Sequence, residues 1–165
     1  MYRKVFVPIA ALLLSLPAFA DDNSGIYLFG ALGQTQTSTS QPESNLFFAG
    51  YQFNNNWGIE AGNVNLGQLP ALATASATSI FAVKYWNVSE FGKASRFSFL
   101  TKIGAAKVTT KLTPTFSKSG VAYGVGGAYK IDEEWDMRIE ATSLKTGNAN
   151  ENRIAVLSLG LSYLF

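Results

Sequence analysis

The chain has no histidine and no cysteine among its 165 residues, which removes most of the side-chain chemistry that catalysis and transition metals rely on. A serine nucleophile without a histidine needs a lysine or a carboxylate pair to take its proton. Ser38, Ser40, Glu43, Ser117 and Lys118 are the residues from which such a site would be drawn. All five fall in Ser- and Thr-rich stretches that read more simply as solvated connectors. No Cys/His cluster offers a transition-metal site. Asp21-Asp22 reads as a processing feature rather than a calcium site. Gly124-Val-Gly-Gly-Ala128 has phosphate-loop glycines but is followed by no helical pattern. No catalytic residue, metal ligand or cofactor is therefore expected, and the expected protein is not an enzyme.

The remaining chemistry is charge, and its placement follows a period of two. From Trp135, the residues Trp135, Met137, Ile139 and Ala141 alternate with Asp136, Arg138, Glu140 and Thr142. That is a strand with one apolar and one polar face. The same parity argument sets Glu60, Lys84, Lys102 and Lys130 opposite the apolar face of their own segments. Lys107 is the exception with outward parity, near one end, where a long side chain can snorkel. If the apolar face meets lipid, slipping a strand by one residue drives its charges into hydrocarbon. A Lys or Arg near the midplane costs about 2–4 kcal/mol, so Lys84, Lys102 and Arg138 together would cost roughly 6–12 kcal/mol. The charges must point inward. Glu60, Glu140 and Asp136 are then expected to meet Lys84, Lys102 and Arg138 in an interior ion-pair network, which either fills the lumen or gates it. Glycines at inward parity (58, 62, 104, 120, 124, 126 and 160) make room for these side chains.

The elements that position these residues are strands. Ile154–Phe165 (IAVLSLGLSYLF) alternates bulky apolar with small or hydroxylated residues and closes on an aromatic. Twelve residues are too few for a membrane-spanning helix but enough for a tilted spanning strand. Such a strand needs paired neighbours on both sides, and in lipid that means a closed barrel. Turn signals divide the chain into eight expected strands: Gly25–Thr35, Leu46–Phe53, Trp57–Asn65, Ala75–Asn87, Arg96–Thr109, Ser119–Ile131, Trp135–Leu144 and Arg153–Phe165. The expected fold is all-β, an eight-stranded antiparallel up-and-down transmembrane barrel. Asn54-Asn55-Asn56 and Asp132-Glu133-Glu134 are tight turns. Thr37–Asn45, Leu66–Thr74, Lys111–Lys118 and Lys145–Asn152 read as longer polar loops, the pattern of periplasmic turns and outer loops. Phe53, Trp57, Tyr85, Phe97, Tyr129, Trp135, Tyr163 and Phe165 cluster near the expected periplasmic turns as an outward aromatic belt.

Met1–Ala20 supplies the address. Arg3 and Lys4 precede an apolar run that ends in Ala18-Phe19-Ala20, the A-x-A pattern of a cleaved signal peptide. The expected division is a signal peptide at 1–20 and a barrel domain at 21–165. Of the 13 cations, the two in the leader account for the net charge of +2, leaving 11 against 11 anions. A basic face for nucleic acid is not supported.

Three segments resemble the small eight-stranded outer-membrane barrels, the family of the OmpA membrane domain and the OmpX and opacity-type porin-like proteins. Gly25-Ile-Tyr-Leu-Phe-Gly-Ala-Leu-Gly33 looks like their first strand. Gly124-Val-Gly-Gly-Ala-Tyr-Lys-Ile131 with Trp135-Asp-Met-Arg-Ile-Glu140 looks like their sixth and seventh. Leu161-Ser-Tyr-Leu-Phe165 is similar to their terminal assembly signal, with Leu161, Tyr163 and Phe165 as its outward residues. The resemblance implies a monomer in the Gram-negative outer membrane, handled by periplasmic chaperones and the barrel assembly machinery. Its partners would be outer-membrane lipid and lipopolysaccharide, with no cofactor. The expected role is structural, with surface interaction through short outer loops; a narrow diffusion pore gated by the ion pairs is the alternative, ahead of a lipid-modifying enzyme. No peptidoglycan-binding domain follows the barrel, so cell-wall tethering is not implied. We predict that deleting Phe165, or charging it, lowers outer-membrane assembly; heat-modifiable gel migration equal to wild type would contradict this.

Overall fold

The computed structural model describes residues 24–37, 40–69, 73–88, 96–111, 115–145 and 153–165. Met1–Ala20 with Ala18 and Ala20, Asp21-Asp22, Ser38 and all of Ser89–Ser95 lie outside the described residues. Eight strands form one closed sheet: β1 (Gly25–Gln36), β2 (Glu43–Asn54), β3 (Trp57–Leu69), β4 (Ala73–Asn87), β5 (Phe97–Lys111), β6 (Phe116–Lys130), β7 (Trp135–Lys145) and β8 (Arg153–Leu164). Each pairs antiparallel with its sequence neighbours. β1 also pairs with β8, from Tyr27 opposite Leu164 to Gln36 opposite Ala155, so no edge is left open. No helix occurs among the described residues.

Alternation along the strands sorts the side chains. β8 exposes Ala155, Leu157, Leu159 and Leu161 and buries Ile154, Val156, Ser158 and Ser162. Large apolar residues such as Leu32, Ile103, Val121 and Ile139 face outward all around the barrel. In water this would be a severe exposed patch; against hydrocarbon it is the expected surface.

The two tight turns share one device. The Asn54 side-chain oxygen accepts from the N–H groups of Asn56 (2.9 Å) and Trp57 (3.0 Å). Asp132 does the same for Glu134 (2.9 Å) and Trp135 (2.7 Å). Both satisfy turn amides that the sheet leaves over.

At the opposite end the strands run further than sequence indicates. The stretch Leu66–Thr74, read as a loop, is mostly strand, since β3 continues to Leu69 and β4 starts at Ala73. A bulge between Asn65 and Gly67 lets pairing continue past the glycine. Gly67 has φ of 74°, and its N–H donates to the Asn65 side chain at 3.1 Å. A Cβ there would meet the Glu43 carbonyl and, at 2.9 Å, Pro42. The glycine is a bend within a strand rather than its end.

Strand β4 corrects the expected facing. Phe81, Val83 and Tyr85 are buried in the lumen, while Ala82 and Trp86 are exposed. Tyr85 therefore does not belong to the outward belt, and Lys84 does not point into the interior network. The strand ends on two adjacent aromatics, Tyr85 and Trp86, and the belt residue is Trp86. Lys84 lies over the Trp57 and Trp86 rings, at 4.6 and 5.3 Å.

Candidate functional site

Three strands bring four charged side chains to one level of the lumen: Glu60 from β3, Lys102 from β5, and Arg138 and Glu140 from β7. Lys102 pairs with Glu60 at 3.2 Å and also with Glu140. Arg138 pairs with Glu60 at 3.2 Å and also with Glu140. The Tyr27 hydroxyl donates to Glu60 at 2.9 Å. Every cation touches both anions, so the cluster is a ring with no net charge. Glu60, Arg138 and Glu140 are each 1% exposed and Lys102 is 3% exposed, so these side chains pack against protein rather than solvent.

The register explains how four long side chains fit. Glu60 stands opposite Gly50, Lys102 opposite Gly124, Arg138 opposite Gly160 and Glu140 opposite Gly126. Each charge thus faces a residue without a side chain on the adjoining strand. A Cβ on Gly124 would come within 2.8 Å of Lys102 Cε, and one on Gly126 within 3.1 Å of Glu140 Cγ.

Aromatic rings enclose the cluster. Lys102 Nζ lies 4.7 Å from the Phe81 ring and 5.1 Å from that of Phe48. Arg138 Cζ lies 4.3 Å from the Phe29 ring, and its Nε and Nη1 have no hydrogen-bond acceptor. The ring faces supply attraction where acceptors are absent. Phe29, Phe48 and Phe81 form a contiguous stack, with centroids 6.3 and 6.1 Å apart. These inward aromatics were not read from the sequence. In β1, Tyr27 and Phe29 alternate with Leu28 and Gly30, so no charge marks a face; in β2, Phe47 and Phe48 are adjacent.

Asp136 has inward parity but sits nearer the turn end, opposite Lys130, and takes no part in the ring. It lines a cavity of about 90 Å³ at that mouth with Tyr85, Arg96 and Glu133. Lys107 is outward and exposed, as its parity requires. Leu161, Tyr163 and Phe165 lie in order on the outer face of the β8 end. The Tyr163 ring is 4.8 Å from Trp135 and 4.7 Å from Phe165, and its hydroxyl donates to Glu134 at 2.8 Å.

Of the loop residues weighed for serine chemistry, the described ones lie on separate elements. Ser40 shares a hydrogen bond with Thr37 (3.1 Å), and Ser117 shares one with Thr109 (3.0 Å). Glu43 begins β2 and Lys118 lies in β6. Among the described residues, no group of three potential metal ligands occurs.

The ring geometry makes a specific energetic prediction. Removing one member of a buried ion cluster leaves an uncompensated charge, costing about 3–5 kcal/mol. We predict that Lys102→Met lowers the unfolding free energy by that order, whereas adding Glu140→Gln to it costs less than the two single changes summed. Urea unfolding of the refolded barrel measures the cycle, and strict additivity would show that the charges do not act together.

Comparison of the sequence with curated proteins returns no match. Among solved structures, Neisserial surface protein A aligns with a TM-score of 0.60 at 17% identity, covering 87% of this chain and 97% of the other. Ail, the attachment invasion locus protein of Yersinia pestis, solved with the heparin analogue sucrose octasulfate, aligns at 0.55 and 18% identity, covering 86% and 97%. The N-terminal barrel domain of Pseudomonas aeruginosa OprF aligns at 0.59 and 13% identity, covering 84% and 98%. At such identities these likenesses establish the shared eight-stranded architecture. The sequence itself matches the outer membrane protein beta-barrel domain over residues 6–165, and the chain belongs to that family of outer-membrane barrels.

Proposed function

We propose that this protein is a non-catalytic barrel of the Gram-negative outer membrane, exported through cleavage after Ala20, that holds short polar loops at the cell surface. The observation that carries the reading is the neutral ring of Glu60, Lys102, Arg138 and Glu140, buried at 1–3% exposure across the lumen. A protein built to pass solutes needs a hydrated path; here one level of the lumen is filled by paired charges and flanked by Phe29, Phe48 and Phe81. Function then resides on the outside of the barrel and in its loops. In this reading outer-membrane lipid and lipopolysaccharide are the surrounding partners. Leu161, Tyr163 and Phe165 present the aromatic and aliphatic edge by which the assembly machinery takes up the chain.

The competing reading is a narrow diffusion pore in which the same ring opens. It requires Lys102 or Arg138 to leave both glutamates at once, at the desolvation cost of a buried unpaired charge. We predict no discrete openings from purified protein in planar bilayers; stepwise conductance abolished by Arg138→Met would establish the pore instead. The orientation is tested separately. A cysteine replacing Ser40 should react with an impermeant thiol reagent on intact cells and one replacing Asn55 should not, and the reverse labelling would turn the barrel over.

A further inference from the structure

The lipid-facing wall is not uniformly apolar. Across β3, β4, β5 and β6 the outward row Ala61, Ile80, Ala105, Val121 is entirely apolar. The next row toward the loop end is Asn63, Thr78, Lys107, Ser119, and the row beyond is Asn65, Ser76, Thr109, Ser117. A third pairing adds Thr74 and Lys111. The change from hydrocarbon-compatible to polar therefore occurs within a single step of the register.

Its height matters. Lys107 lies ten residues beyond Phe97 in β5. With ~3.3 Å per residue and a tilt near ~40°, it stands about 25 Å above the aromatic belt, the height at which the apolar band of such barrels ends. In the same row as Lys107, the Thr78 hydroxyl donates to the Asn63 side chain at 2.8 Å. Between β2 and β5 the wall is hollowed into a groove of about 430 Å³, lined by Phe47, Asn63, Asn65, Thr74, Ser76 and Lys111 among others.

Charge identifies the occupant. Neither Lys107 nor Lys111 has an ion-pair partner among the described residues. The adjoining connections, Pro-Ala-Leu at 70–72 and Leu-Thr-Pro at 112–114, contain no acid. The one outward acid on the strands at this end is Glu43 on β2, two residues beyond Asn45 at the wall of the groove opposite Lys111. Lys107 in the first polar row and Lys111 four residues further along β5 thus bracket hydroxyl and amide groups at headgroup height, a setting whose charge suits a phosphate-bearing lipid headgroup. A second copy docking by the same wall across a two-fold axis would set lysines against lysines, which repel.

We infer that the groove on β2–β5, with Lys111 in its lining and Lys107 four residues lower on the same strand, seats the phosphorylated headgroup of an outer-leaflet lipid. This rests on the outer-membrane reading above and narrows it to one face of the barrel. The test uses refolded full-length barrel in detergent, with bound lipid counted by native mass spectrometry. Wild type is expected to retain diphosphoryl lipid A about tenfold better than its dephosphorylated form, and Lys107→Gln with Lys111→Gln is expected to abolish the difference, in line with surface lysine–anion contacts. Equal retention of the two lipids, full retention by the double variant, or a mass shift to dimer in place of lipid would each overturn the inference. Heat-modifiable migration separates the two readings. A chain that never becomes heat-modifiable overturns both, while a folded barrel that does not discriminate overturns only the headgroup site.

Discussion

Hydrocarbon offers the backbone no hydrogen-bond partner, and nearly everything in this molecule follows from that one constraint. Each spanning strand must find its partners in other strands, so the sheet has to close, and β1 must reach β8. Closure turns the usual logic of a core around. The outer surface carries the bulky aliphatic residues, and the interior takes whatever the lipid rejects. With eight strands, that interior has room for side chains and little else.

The charged ring is the consequence inside. Its four members lie on three strands and are neutral only as a set, so none can be understood in isolation. Two of the glycines in register, 124 and 126, leave the space that Lys102 and Glu140 fill, and Gly50 leaves the space filled by the Tyr27 ring whose hydroxyl meets Glu60. The glycines and the charges are one packing solution, since a methyl group at Gly124 and the Lys102 side chain claim the same space. Phe29, Phe48 and Phe81 complete it by lowering the local polarity, which strengthens each ion pair and raises the penalty for breaking one.

Much of this was legible in the sequence, for physical reasons that differ by strand. In β5 and β7, Lys102, Arg138 and Glu140 fix the inward face because their alternative is hydrocarbon. In β8, the contrast between leucines and small or hydroxylated residues does the same. In β4 the adjacent Tyr85 and Trp86 offered two anchors for the belt, and the single lysine beside them could satisfy either choice by snorkelling. Lys84 accordingly stacks on tryptophans instead of joining the ring. Parity also names which charges face inward without saying which of them meet. That Lys102 touches both glutamates, while Asp136 stays near the mouth, depends on the stagger between strands, a property of the closed ring rather than of any one segment. The continuation of β3 past Gly67 was hidden likewise, because a glycine in a bulge and a glycine in a loop look alike until the pairing is known.

The seam between the first and last strands bears on the order of events in the cell. Tyr27 meets Leu164 and Gln36 meets Ala155, so the final pairing joins residues more than a hundred positions apart. Nothing upstream can substitute for β8 in that role. During synthesis the early strands emerge with an unmatched edge and wait, and every second they wait invites pairing with the wrong neighbour. A ring of this kind keeps two unmatched edges until its last strand is in place, so the final dozen residues decide whether the whole sheet is sealed.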